Sequence, residues 1–145
     1  MIYTNALPEL EICHELPDDT EARLSIIELY DLAFREDDNS TDSEYNLSEK
    51  MLMCGEVVSA FIGEKAVANA VYIQCWPKVS VELIASHPNF QRLGIGKILM
   101  GEIEDFARGG HFNVVELRAK KRAEGFYQKL GYWNKSGKTY VKQIN

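Results

Sequence analysis

Gln91-Arg92-Leu93-Gly94-Ile95-Gly96 is the segment whose residue types and spacing most directly promise chemistry. Two glycines two apart let the chain turn so tightly that successive N–H groups face one concavity. A helix over Lys97 to about Arg108 would bring its positive dipole end to the same place, and such a concavity holds phosphate through backbone donors. A Cβ at Gly94 or Gly96 would meet an approaching pyrophosphate or forbid a positive φ. Alone, a Gly-x-Gly turn reads equally as an ordinary strand-to-helix connection, so its context decides. Upstream, Val79-Ser80-Val81-Glu82-Leu83-Ile84-Ala85-Ser86 reads as a strand closed by His87-Pro88. Downstream come the helix, a strand near Phe112–Ala119, and the run Ala123-Glu124-Gly125-Phe126-Tyr127-Gln128-Lys129-Leu130-Gly131-Tyr132. A dinucleotide-binding fingerprint is excluded: no glycine stands three residues after Gly96, and no βαβ unit opens the chain.

Together the two motifs resemble the signatures of the GNAT superfamily, the acyl-CoA-dependent N-acyltransferases. Gln91, Gly94 and Gly96 match the first signature, Gln/Arg-x-x-Gly-x-Gly/Ala. Ala123, Phe126, Tyr127, Leu130, Gly131 and Tyr132 match the second, Ala-x-x-Phe-Tyr-x-x-Leu-Gly-Phe/Tyr. The match runs from about Val79 to Tyr132; the first half of the chain follows only in element order. The resemblance implies an α/β fold with a mixed, mostly antiparallel sheet, a central parallel strand pair that splays apart, and flanking helices. It also implies acetyl-CoA as co-substrate, a primary amine as acceptor, and a pantetheine arm lying in the splayed wedge, where unpaired strand amides and carbonyls can bind it.

Acyl transfer from a thioester to an amine needs a polarised carbonyl, an amine freed of its proton, and a stabilised leaving thiolate. Main-chain N–H groups of Ile84, Ala85 and Ser86 are the candidates for the first, while the side chains of Ile84 and Ala85 serve as core. Glu82 is the candidate base. Strict alternation puts Glu82, Ile84 and Ser86 on one strand face, with Glu82 about 13 Å from Ser86 at ~3.3 Å per residue, so a water chain would carry the proton. Glu82 reads equally as a strand carboxylate paired with a Lys or exposed at an edge. Tyr127 is the candidate acid beside the thioester sulfur, by resemblance, with Phe126 packing inward; its other reading is a core aromatic with a satisfied hydroxyl. A phenol of ordinary pKa suits donation to a thiolate better than proton removal at neutral pH. Neither motif holds a Cys or Ser with a partner base, so attack is expected to be direct, without an acyl-enzyme.

Relatives carry an Asn where Lys120 stands, three residues before Ala123. Lys120 is read as a cofactor contact and Lys121 as a solvated helix start. Arg92 and Lys97 flank the phosphate loop, with Leu93 and Ile95 inside it, and one of the two cations adds charge to the backbone donors. Lys129 is read as a contact to the 3′-phosphate end. The acidic run Glu36–Glu44 would suit a cationic amine, but reads first as a solvated loop. Trp76 and Trp133 read as packing residues before acceptor-pocket residues. His87 reads as a turn residue.

The elements that must position these groups follow from periodicity. A strand near Leu10–Leu16 and a helix from the Asp18-Asp19-Thr20 cap to Phe34 open the chain, and a second helix is expected around Leu47–Met53. Val57–Ile62, Ala66–Gln74 and Val79–Ser86 form an antiparallel meander. The strand Asn113–Ala119 lies parallel to Val79–Ser86 because a helix joins them. A helix over about Arg122–Leu130 and a closing hairpin about Lys135–Lys138 complete the sheet.

The 145 residues fit one domain, 1–145, with a core that needs no staples. A net charge of −6 lacks the basic footprint of a nucleic-acid binder. Cys13, Cys54 and Cys75 have neither disulfide nor metal spacing, so no metal is expected. No apolar stretch approaches membrane-spanning length and no signal peptide is visible, which reads as cytoplasmic. Many members of the superfamily pair into homodimers, and nothing in the sequence specifies one. A non-catalytic CoA-binding or sensory module is the rival reading.

Overall fold

The computed structural model describes residues 9–35 and 55–144. The acidic run Glu36–Glu44 and the helix expected around Leu47–Met53 lie outside them. Strand β1 (Leu10–Cys13) is followed by helix α1 (Thr20–Arg35). The Asp19 carboxylate accepts from the Glu21 N–H at 3.2 Å, the cap that the Asp-Asp-Thr sequence promised. Strands β2 (Glu56–Ile62), β3 (Lys65–Cys75) and β4 (Lys78–Ser86) form the meander, joined by turns at 63–64 and 76–77. Helix α2 (Ile95–Gly109) then leads to β5 (Val114–Arg118). Where one helix was expected over Arg122–Leu130, a 3₁₀ turn at Lys121–Ala123 feeds a short α3 (Glu124–Lys129). Strands β6 (Trp133–Ser136) and β7 (Thr139–Gln143) close the chain as a hairpin.

One seven-stranded sheet results, in the order β1-β2-β3-β4-β5-β7-β6. Every pairing is antiparallel except β4 with β5, the pair that α2 connects. The hairpin folds back so that β7, not β6, lies beside β5.

Two cores face each other across the sheet. On one face α2 buries Ile95, Leu99, Met100, Ile103 and Ala107 against Val79, Val81, Val115 and Leu117. On the other, α1 buries Ala22, Ile26, Leu29 and Tyr30 against Val57, Phe61, Val71 and Ala85. At ~25 cal/mol per Å² of apolar area, burial on both faces is the main force holding the sheet rigid. A polar chain threads the second core. The Tyr30 hydroxyl donates to Asn69 Oδ1 at 2.5 Å, and Asn69 Nδ2 donates to Ser59 Oγ at 2.7 Å, all three groups buried. Burial alone pushes the Tyr30 hydroxyl well above its ordinary pKa.

Candidate active site

The ladder between β4 and β5 runs from Lys78↔Val114 to Val81↔Leu117 and stops. Strand β4 continues for Glu82–Ser86, still paired with β3 as far as Ala68↔Ser86. Strand β5 instead stays with β7 through Arg118↔Thr139. The two parallel strands therefore part, and the β5-facing edge of residues 82–86 has no strand partner among the described residues. This is the expected wedge. Ala85 packs under α1 and Ile84 against the α2 core. The His87 N–H bonds the Val67 carbonyl on β3, so by strand alternation the Ala85 main chain also faces β3, and only Ile84 and Ser86 turn their N–H groups into the wedge, which removes Ala85 from the expected donors.

A bulge sits at the point of parting. Val71 pairs with Leu83 while Tyr72 pairs with Val81, which leaves Glu82 as an extra residue. The bulge resets alternation. Val79 and Val81 face α2, whereas Leu83 and Ala85 face α1. The Ser80 hydroxyl donates to Glu82 Oε1 at 3.0 Å, which places Glu82 on the α1 side. The expectation that Glu82, Ile84 and Ser86 share one face is thus overturned. Glu82 is also exposed, with a hydrogen bond but no ion pair among the described residues.

Beyond Ser86 the chain turns through His87, whose Nδ1 accepts from Asn89 N–H at 3.1 Å. Burial and the nearby Lys65 ammonium lower its pKa, so it is a neutral turn residue as the sequence suggested. Gln91 is extended and its Nε2 donates to the Ser86 carbonyl at 3.4 Å. Arg92 at φ +74° and Gly94 at φ +80° are both left-handed. Two such residues in three turn the local N–H groups into one hollow. Gly94 is the N-cap of α2 and no side chain caps it. The first N–H bonded into the helix is that of Ile98, to the Gly94 carbonyl at 3.1 Å. The N–H groups of Ile95, Gly96 and Lys97 therefore have no intrahelical acceptor. Leu93 is half-exposed above them, and Arg92 and Lys97 are exposed beside them.

The two glycines do different work. Gly94 is fixed by its φ, as expected. Gly96 has no left-handed φ; a Cβ there would lie 3.3 Å from Phe126 Cζ and 3.8 Å from Ser86 Oγ. Its smallness lets the last residue of β4, the first turn of α2 and the second motif meet. This corrects the expectation for Phe126, which is 38% exposed at that junction rather than packed inward. Tyr127 is the inward residue, 4% exposed. Its ring stands edge-on to Phe126 at 5.0 Å and to Tyr132 at 5.9 Å. Its hydroxyl makes no hydrogen bond among the described residues, and burial pushes its pKa up to about 12.

Behind Tyr127 lies a polar cluster that no motif announced. The Tyr132 hydroxyl donates to Glu104 Oε2 at 2.9 Å, and Lys142 Nζ lies 3.0 Å from Glu104 Oε1. Burial first, then the Glu104 charge, raises the Tyr132 pKa. The Tyr132 N–H donates to the Tyr127 carbonyl at 3.0 Å, which ties the two tyrosines together. A groove of about 250 Å³ beside this cluster is lined by Lys97, Met100, Gly101, Glu104, Lys129, Leu130 and Lys142. It brings Lys129 together with Lys97, the first residue after the glycine turn. Lys120 is exposed at the turn into α3. Trp76 is 72% exposed in the β3–β4 turn, at the other end of β4 from the wedge, and so takes no part in the site. Trp133 is 52% exposed on β6.

Charge is divided along the chain. Residues 91–145 carry eleven Lys and Arg against five Asp and Glu, whereas residues 1–90 carry five against seventeen. The half that builds the phosphate loop is the basic one.

Among the described residues, no group of His, Cys, Asp and Glu is arranged to hold a metal ion, and no helix is long and apolar enough to cross a membrane. Residues 23–132, more than half of the chain, match the model of a family described as the acetyltransferase (GNAT) family. No curated protein matches the sequence. Solved structures share the fold. An acetyltransferase from Streptococcus agalactiae superposes with a TM-score of 0.80 at 15% identity, covering 93% of this chain and 98% of its own. A GNAT family acetyltransferase from Brucella melitensis in complex with acetyl-CoA gives 0.74 at 16%, covering 94% and 88%. The PaiA N-acetyltransferase of Thermoplasma acidophilum in complex with coenzyme A gives 0.74 at 16%, covering 91% and 96%.

Proposed function

The chain belongs to the GNAT acetyltransferase family, and from that premise we propose that it moves an acetyl group from acetyl-CoA to a primary amine by direct attack. The observation that carries this is the continuity of the wedge with the phosphate loop. Strand β4 loses β5 after Val81↔Leu117, and the same strand then runs into the left-handed turn at Arg92 and Gly94. A diphosphate on the free N–H groups of Ile95, Gly96 and Lys97 sets the pantetheine arm past Gly96 and Phe126 into the gap beside Ile84, Ala85 and Ser86. The lysines of the groove and the exposed Lys120 suit its phosphates. The basic half of the chain supports an anionic carrier on that side.

In this reading the amine arrives from the opposite, α1 face, where Glu82 stands at the parting of the strands. Glu82, directly or through water, takes the ammonium proton. The nitrogen lone pair attacks the thioester carbon, the C–N bond forms, the C–S bond breaks with its electron pair leaving on sulfur, and the proton shed by the new amide nitrogen passes through water to the thiolate, releasing CoA as its thiol. The strand N–H groups of Ile84 and Ser86 stabilise the carbonyl oxygen as negative charge develops. Tyr127, at a pKa of about 12, keeps its proton and steadies the thiolate as a hydrogen-bond donor. Full transfer to a thiolate of ordinary pKa ~8.5 would be uphill by about 5 kcal/mol. We place the chain in the cytoplasm as a single domain, with no homodimer required by this mechanism.

The test is calorimetry with acetyl-CoA, followed by thiol release over a panel of primary amines. Binding with amine-dependent release supports the proposal. Binding with no release on any amine assigns the chain to a CoA-sensing module instead, and no binding removes both.

A further inference from the structure

Resting on that reading, we infer that the acceptor is a free amino acid, whose ammonium meets Glu82 and whose carboxylate is held by Arg118. The last bridged pair of the parallel ladder is Val81↔Leu117, so Glu82 and Arg118 are the first residues past it on their two strands. Val115, Leu117 and Ala119 all lie in the core under α2, which turns Glu116 and Arg118 to the other face. Glu82 is on that face too, through its bond to Ser80. A carboxylate and a guanidinium therefore flank the mouth of the wedge, on the side away from the phosphate loop. Both are exposed, and neither makes an ion pair among the described residues.

The neighbouring charges on this face are spent on each other. Lys78 Nζ and Glu116 Oε2 form a bridge at 2.6 Å. Ser80 is occupied with Glu82. Among the described residues of β4 and β5 on this face, that leaves Glu82 and Arg118, one on each side of a gap that opens past the last ladder pair. A zwitterion matches such a pair. Its nitrogen would sit on the Glu82 strand, which also carries the edge amides of Ile84 and Ser86, and its carboxylate would take the guanidinium, whose planar donors fit it two at a time. An amine bearing only further positive charge would meet Arg118 as a repulsive neighbour. The pair thus selects for a carboxylate and against polycations.

The experiment compares matched acceptors with the full-length chain and acetyl-CoA: leucine with isoamylamine, phenylalanine with phenethylamine, lysine with cadaverine. The amino acid is expected to have the higher kcat/KM in each pair. Arg118→Gln is expected to raise KM for the amino acid about 10- to 100-fold more than for its decarboxylated partner, the discrimination of one charge-assisted pair. Arg118→Lys should recover part of it, and acetyl-CoA affinity should stay within about twofold in both variants. Equal or better turnover of the decarboxylated amines, or an equal loss on both members of each pair in Arg118→Gln, overturns the inference and leaves the acetyltransferase reading standing. Tight acetyl-CoA binding with no turnover of either set overturns both.

Discussion

Tyr127→Phe separates the two readings of that residue by sign. The substitution keeps the ring, and with it the edge-on contacts to Phe126 at 5.0 Å and Tyr132 at 5.9 Å. It deletes the hydroxyl of a residue that is 4% exposed, a hydroxyl with no hydrogen-bond partner among the described residues. A buried, unpaired hydroxyl is destabilising by about 1–3 kcal/mol, so its removal leaves Tm level or raises it, by about 3 °C per kcal/mol relieved. Turnover is expected to fall about 10²-fold or more if the hydroxyl faces the leaving sulfur. Acetyl-CoA affinity, carried by the loop amides, should hardly change. Thermal melting, calorimetry and steady-state kinetics on one variant read all three. The pH profile adds a check. With burial holding the hydroxyl protonated up to about 12, kcat of the parent should show no alkaline decline owed to Tyr127 below about pH 11. A fall in Tm of several degrees would show that the hydroxyl makes a structural bond. An alkaline limb near pH 9–10 that disappears in Tyr127→Phe, or turnover equal to the parent's, would refute the role argued for it.

Two further substitutions probe what shapes the site. Gly94→Ala forces a Cβ into φ +80° and should cost about 1–2 kcal/mol of stability and weaken CoA binding about tenfold. Gly63→Ala, at φ +61° in the β2–β3 turn, is the matched control: a similar loss in thermal melting with CoA affinity kept. CoA affinity falling equally in both would mean the loop conformation is not what binds. Asn69→Ala strips the partner from the Tyr30 hydroxyl and from Ser59 together, all buried, and should destabilise by about 2–4 kcal/mol in urea titration. A loss below about 1 kcal/mol would show that water or the Asn69 carbonyl replaces the amide.

The architecture was legible because its signals are local. Alternation marked β2 to β4, Gly109-Gly110 marked the end of α2, and a helix between two strands forced the parallel pair. The phosphate loop was legible for the same reason, since the glycines stand between a strand and a helix that are both marked locally. What escaped depends on contacts distant in sequence. Glu82 changes face because one extra residue is accommodated against Val71 and Tyr72, and a period-2 reading has no way to register it. Gly96 was read as making way for a ligand, and it also makes way for Phe126, thirty residues on. The Glu104–Tyr132–Lys142 cluster joins α2, the turn after α3 and β7, and no motif marks any of its three members as a partner of the others. The charged residues flanking the wedge belong to two strands that meet only through the ladder.

The same geometry explains why the chemistry can rest on so few side chains. Along residues 84 and 85 the side chains go to opposite cores, Ile84 toward α2 and Ala85 under α1, and each is judged only by how it packs. The main-chain N–H groups of Ile84 and Ser86 remain at the gap whatever the side chains are. At the phosphate loop the donors are again main chain, set by two left-handed residues. Any sequence that keeps the bulge, the parting of β4 from β5 and the Gly94 turn keeps the carrier site, while its apolar residues change freely within volume limits. Acceptor choice has no such backbone basis. In the reading proposed above it falls to exposed side chains at the mouth, where Glu82 and Arg118 stand on strands that no longer pair. Substitutions there alter neither core nor loop, so substrate preference can shift without a penalty in stability. Arg118→Gln is accordingly expected to change selectivity while Tm stays within about 1–2 °C, as for a surface substitution worth no more than ~0.5 kcal/mol. A larger drop in Tm would mean that Arg118 holds the sheet together rather than the acceptor.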